Sequence, residues 1–210
     1  MLASPLRLLI LAFAVAACAR GGSTTTTTMT TPPTPTPRGG STTTPTPTPT
    51  EHSNGQHDFD FHPGTWQTHV KRRLRPLTGS TSWVEYSGTT VVHPIWKGRA
   101  NLVELDVSGP AGRLELLSLR LFEPETGTWS LHVAGAHDGE MSPPVTGRFE
   151  NGRGVFTGRE MIGGRSVLVR FTISDITPTS CRFEQAFSTD DGKTWEANWL
   201  AIDTRAATTR

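Results

Sequence analysis

Ser166-Val167-Leu168-Val169-Arg170-Phe171-Thr172-Ile173-Ser174 changes side at every residue. Val167, Val169, Phe171 and Ile173 share one face, and Ser166, Leu168, Arg170 and Thr172 take the other. A helix would space its apolar residues three and four apart, so this unbroken period of two is a β-strand with one face against a core. Gly163-Gly164, just ahead of it, supplies a tight turn.

The same pattern extends in both directions, each run closed by glycine, proline, asparagine or aspartate. Strands are predicted at 65–77, 82–92, 100–107, 113–122, 129–134, 145–150, 154–159, 166–174, 182–188 and 195–204. No stretch keeps a helical period. The segments Glu123-Pro124-Glu125-Thr126-Gly127, His137-Asp138-Gly139 and Asn151-Gly152 are short turns, so consecutive strands pair antiparallel. Strands so connected form a sandwich or a closed barrel, and closure leaves no unpaired edge. The expected class is all-β, an antiparallel up-and-down β-barrel of about ten strands. In its first strand Trp66, Val70 and Leu74 oppose Gln67, His69, Lys71 and Arg73, and alternation turns Arg72 inward.

Gly64-Thr65-Trp66 at the head of that strand resembles the GxW signature of lipocalins and related calycins. The resemblance implies a tryptophan plugging one barrel end under a basic residue near the last strand; here these are Trp66 and Arg205, a cation–π pair. The wider pattern, DFDFHPGTW from Asp58 and VRFTISDITPTSCRFEQAFSTDDGKTWEANW from Val169, is similar to an uncharacterised bacterial family of calycin-like domains, the domain-of-unknown-function group DUF1579. That likeness implies the fold and carries no activity. Ser188-Thr189-Asp190-Asp191-Gly192-Lys193-Thr194-Trp195 resembles the Asp-box of sialidases and other β-propellers. A single copy implies a structural hairpin held by Ser188, Asp190, Gly192, Thr194 and Trp195 rather than a glycosidase.

The chain ahead of the barrel reads differently. Arg7 and the apolar run Leu8 to Ala17 form an export signal too short to span a bilayer as a mature helix. Val15-Ala16-Ala17-Cys18 resembles a bacterial lipobox, which implies cleavage before Cys18 and a diacylglycerol on its thiol. Ordinary signal-peptidase cleavage after Ala19, giving a periplasmic or secreted protein, is the alternative. Ala19 is not the aspartate associated with inner-membrane retention, so the expected place is the outer membrane or cell surface. Residues 1–18 are thus the signal with its lipidation site, 19–56 a disordered Thr/Pro-rich linker, 57–205 the barrel and 206–210 a disordered tail. From Ser23 to Thr50 the only charge is Arg38, and no apolar surface repays the entropy of ordering. Proline keeps such a tether extended at about 3 Å per residue, and its threonines permit O-glycosylation.

All six tryptophans lie between Trp66 and Trp199, so there is one core to bury. A net charge of +1, with no basic cluster beyond Lys71-Arg72-Arg73, excludes a nucleic-acid footprint. Cys181 is the only thiol besides Cys18 and sits in an alternating strand as a small buried side chain. The seven histidines, His93, His132 and His137 among them, show no metal-ligand spacing. Nitrobindin-like haem barrels share the architecture, yet the residues imply neither metal nor cofactor.

Polar residues recur along the last three strands, where Arg170, Glu184, Gln185, Glu196 and Asn198 would converge if their faces point inward together. Such a group serves as a structural ion pair, as a seat for a ligand's head group, or in acid/base chemistry. The expected function is a membrane-tethered module binding a small apolar or amphiphilic molecule. The alternatives are an enzyme working through Arg170, Glu184 and Glu196, and a solid barrel with a structural or partner-binding role. No oligomeric state is implied.

Overall fold

The computed structural model describes residues 54–207. The export segment, Cys18, the linker up to residue 53 and tail residues 208–210 lie outside them. Ten strands follow one another: β1 (Gly64–Arg73), β2 (Trp83–Ile95), β3 (Ala100–Gly109), β4 (Gly112–Glu123), β5 (Thr128–Gly135), β6 (Val145–Glu150), β7 (Arg153–Ile162), β8 (Arg165–Ser174), β9 (Ser180–Ser188) and β10 (Glu196–Arg205). Each pairs antiparallel with its neighbours in sequence, and β1 pairs with β10 to close the barrel. The described residues contain no α-helix; a 3₁₀ turn at Trp96–Gly98 joins β2 to β3.

Three strands depart most from their expected bounds: β7 runs on to Ile162 rather than Arg159, and β1 and β2 differ for local reasons. β1 stops at Arg73 rather than Leu77, because Arg75 and Leu77 take left-handed φ values of 51° and 63° around Pro76 and leave the ladder. β2 runs three residues past Val92, through Pro94. The β1 ladder begins at Gly64 opposite Val92, so Pro94 has only β3 beside it and its missing N–H interrupts no pairing with β1.

Inward residues follow the phase seen in β8, whose Val167, Val169, Phe171 and Ile173 all join the main core. The N-terminal residues 54–63 seal one end of the barrel. Phe59 enters edge-on to Trp129 and Phe149, with ring centroids 4.8 and 5.0 Å away, and the Trp129 indole N–H donates to Gly55 O at 2.9 Å. Beside this cluster Trp66 is fully buried, and its N–H donates to His62 O at 2.7 Å. The Arg205 guanidinium lies 4.1 Å from the Trp66 ring centroid and donates to the carbonyls of Phe61, Pro63 and Pro178. One side chain thereby ties the last strand to the entry of the first.

At the opposite end, Ser188 to Trp195 form the β9–β10 turn. Asp190 accepts from the Ser188 hydroxyl, the Thr194 amide and the Thr194 hydroxyl at 2.7–2.9 Å, and these bonds hold its carboxyl down at about 2. Gly192, at φ 86°, supplies the left-handed residue, and Trp195 donates back to its carbonyl at 3.0 Å.

The weakest seam is β5–β6, paired only from Trp129 to Leu131. Beyond it Ser142 substitutes for a strand: its amide donates to Val133 O and its hydroxyl accepts from Val133 N.

Candidate functional site

Side chains do not fill the barrel. An internal cavity of about 170 Å³ runs from the Trp66 end toward the β9–β10 end. Its walls are apolar, with Leu105, Leu114, Leu116, Val133, Phe171 and Phe183 from five strands facing one another. Arg72, Pro76, Gln185 and Asn198 line the cavity at the end away from Trp66.

The floor is polar and is built by barrel closure. Thr68 lies opposite Asp203 in the β1–β10 register, and Asp203 lies opposite Cys181 in β10–β9. Arg120 comes in from β4 and His62 from the segment ahead of β1. His62, Thr68, Thr90, Arg120, Cys181 and Asp203 are all buried and all line the cavity.

Donor chemistry settles where the protons lie. A guanidinium only donates, so the 2.8 Å contact from Arg120 Nη1 makes His62 Nδ1 an acceptor. The imidazole proton therefore sits on Nε2 and points at Asp203 Oδ2, 3.3 Å away. Thr68 donates its one hydroxyl proton to Asp203 Oδ1 at 2.6 Å, so in the 2.6 Å contact between the two threonines Thr90 is the donor. The result is a directed chain from Thr90 through Thr68 to the carboxylate, met from the other side by His62 and Arg120.

Burial pushes the His62 pKa below its ordinary 6.5; the Asp203 bond opposes this and the Arg120 charge adds to it. Burial likewise pushes the Cys181 thiol up to about 12, with Asp203 adding, so it stays protonated and offers a weak donor 3.8 Å from the carboxylate. Burial pulls Arg120 down to about 10, which leaves it charged at neutral pH.

A pH dependence follows. The unfolded chain protonates His62 near 6.5, while the folded chain resists, so below that pH the unfolded state binds more protons and stability falls. Thermal unfolding is expected to show a midpoint that declines as the pH drops below 6.5. In His62→Gln, whose amide can still bridge Arg120 and Asp203, that part of the slope should disappear; an unchanged slope would place its origin elsewhere.

The ligand atoms of His62, Cys181 and Asp203 lie within 4.8 Å of one another, a cluster that spacing along the chain did not signal. In this arrangement Arg120 occupies Nδ1 and Nε2 carries the proton, so the imidazole has no free lone pair to offer a cation. The trio is a hydrogen-bonded network as it stands.

The five polar residues singled out from the sequence do not come together. Gln185 and Asn198 line the cavity, joined by a 2.8 Å bond from the Gln185 amide to Asn198 Oδ1, and Asn198 is the extra residue of a β-bulge between Ala197 and Trp199. Arg170 lies on the outer face against the Trp195 ring, 4.1 Å from its centroid. Glu184, also outward, pairs with Arg182 at 3.0 Å. Glu196 stands at the rim, held by Arg73 at 3.1 Å and by the Leu77 amide at 2.8 Å. The expected grouping of Arg170, Glu184 and Glu196 is therefore corrected: the inward phase of Val169 and Phe171 forces Arg170 out, and that of Phe183 and Gln185 forces Glu184 out.

Arg120, the residue that does face the cavity, carried a sequence signal. It falls in step with Leu114, Leu116 and Phe122, so it is a charge in an apolar phase.

No family model matches the chain, and no curated protein sequence does. Among solved structures it is similar to the S-type phycobiliprotein lyase CPES from Guillardia theta, with 11% identity, a TM-score of 0.51, and 77% of this chain and 100% of that one covered. It is also similar to a de novo designed fluorescence-activating β-barrel (12% identity, TM-score 0.38, 70% and 95% covered) and to EF1p2_mFAP2b bound to DFHBI (10% identity, TM-score 0.40, 72% and 99% covered). The likeness is one of fold. This is a closed, ten-stranded antiparallel β-barrel.

Proposed function

We propose that the chain is an exported, lipid-anchored binding module that holds one small, largely apolar molecule inside its barrel. The observation that carries this reading is the cavity. A volume of about 170 Å³ is close to the ~150 Å³ of an engineered apolar cavity that takes benzene, so one ring or a short branched chain fits within. A barrel with a purely structural role has no use for such a space, because lining atoms that face a void forgo packing. The acid/base alternative loses its basis, since Glu184 and Glu196 are each engaged elsewhere by an arginine.

The lipobox-like Val15-Ala16-Ala17-Cys18 string and the Thr/Pro-rich composition of residues 19–56 support the exported, anchored part of this reading.

Native mass spectrometry of the full chain, recovered gently from bacterial envelopes, tests the reading. The expected result is a one-to-one adduct of small mass that is lost on denaturation. Bare protein, unchanged after incubation with lipid extracts and single-ring aromatics, would overturn it.

A further inference from the structure

We infer that the occupant is a small monoanion, a monocarboxylate in chemical class, lying head down with its charged group on Arg120 and its apolar body against Leu116, Val133, Phe171 and Phe183. This rests on the binding reading above and specifies its ligand.

Arg120 has no direct ion-pair partner; the Asp203 charge reaches it only through space, across the His62 ring. Arg120 is 6% exposed, yet no carboxylate among the described residues lies within ion-pair distance of it. Its path to Asp203 runs through a neutral imidazole, and Asp203 already accepts from Thr68 and His62. A buried cation is ordinarily paired with an anion, because desolvation is costly without one. Of its five N–H donors one is spent on His62, and Nε has no partner. The face of Phe59, 4.5 Å from the guanidinium carbon, supports the group from one side. Arg120 also lines the cavity.

The rest of the lining agrees. Arg72 shares the inward phase of Thr68 and Val70 and lines the cavity, and it forms no ion pair among the described residues. Arg73 is neutralised by Glu196, and Asp203 is the only carboxylate in the lining. The lining therefore carries a net positive charge between apolar walls: Arg72 without an ion pair among the described residues, and at the floor Arg120 with spare donors beside an Asp203 whose oxygens are already taken by Thr68 and His62. An anion settling on Arg120 meets its spare donors and the net positive lining, while an amine meets two arginines and a carboxylate whose oxygens already accept from Thr68 and His62. The limited volume makes that anion a ring or short-chain acid.

The test is a head-group series on a single ring: benzoate, benzamide, benzyl alcohol and benzylamine, titrated calorimetrically into the full chain at fixed ionic strength. Benzoate is expected to bind about tenfold to a hundredfold more tightly than benzyl alcohol, the span of a charge-assisted hydrogen bond, with benzylamine weakest. In Arg120→Met, with folding checked by near-ultraviolet circular dichroism, the benzoate advantage should vanish while benzyl alcohol still binds. If benzoate, benzamide and benzyl alcohol bind the unaltered protein alike, the anion inference is overturned and the cavity reading survives. If none of the four binds, both fail. The series on the unaltered chain decides the matter even where the variant does not fold.

Discussion

Asp203→Ala is expected to lower the unfolding free energy by about 3–5 kcal/mol, the cost of breaking one side of a buried charged network. The carboxylate is buried and serves three donors: the Thr68 hydroxyl at 2.6 Å, the His62 imidazole at 3.3 Å and, more weakly, the Cys181 thiol at 3.8 Å. Removing it leaves a hydroxyl and an N–H without an acceptor, and it leaves Arg120 with no anion at the cavity floor. In a domain of this size the loss corresponds to a melting point roughly 10 °C lower. Asp203→Asn keeps one acceptor and the shape but no charge, so its cost should be intermediate. Urea denaturation of the three proteins checks the order. A loss under about 1 kcal/mol for the alanine variant would show that water takes over the bonding and that the floor is open to solvent.

Trp66→Ala is expected to cost about 3–5 kcal/mol through a different mechanism, the cavity left when a large buried ring is removed. No part of Trp66 is exposed; its ring stacks under the Arg205 guanidinium and meets the His62 imidazole edge-on, with centroids 5.3 Å apart. The variant loses the packing, the cation–π contact and the bond to His62 O together. Arg205 keeps its bonds to Phe61, Pro63 and Pro178, so the chain entry stays attached while the plug loosens. Trp66→Phe restores much of the volume and none of the N–H, and should recover more than half of the stability. Because His62 is steadied by Trp66 and in turn meets Arg120, affinity for the occupant should fall with stability in the alanine variant. Denaturation curves paired with the benzoate titration separate the effects; full affinity in a destabilised variant would uncouple plug from floor.

Local pattern was enough for the strands. Alternation such as that of Val167 to Ile173, punctuated by Gly163-Gly164 and Asn151-Gly152, determines elements and neighbour pairing, because period and turn chemistry act over a few residues. It also turns Arg72 inward. The faces of β9 were not legible in this way, since Arg182, Glu184 and Gln185 put polar groups on both sides, and the bulge at Asn198 shifts the phase of β10 without a turn residue to announce it. The floor of the cavity belongs to tertiary structure alone. His62 meets Asp203 across 141 positions, Cys181 across 119 and Arg120 across 58, and each meeting depends on the register at which β1 closes on β10. The sequence by itself thus determined ten strands and their order around a barrel. Which polar residues face each other inside was decided only when the whole sheet twisted shut, because closing register is set by the combined packing of every strand rather than by any segment on its own.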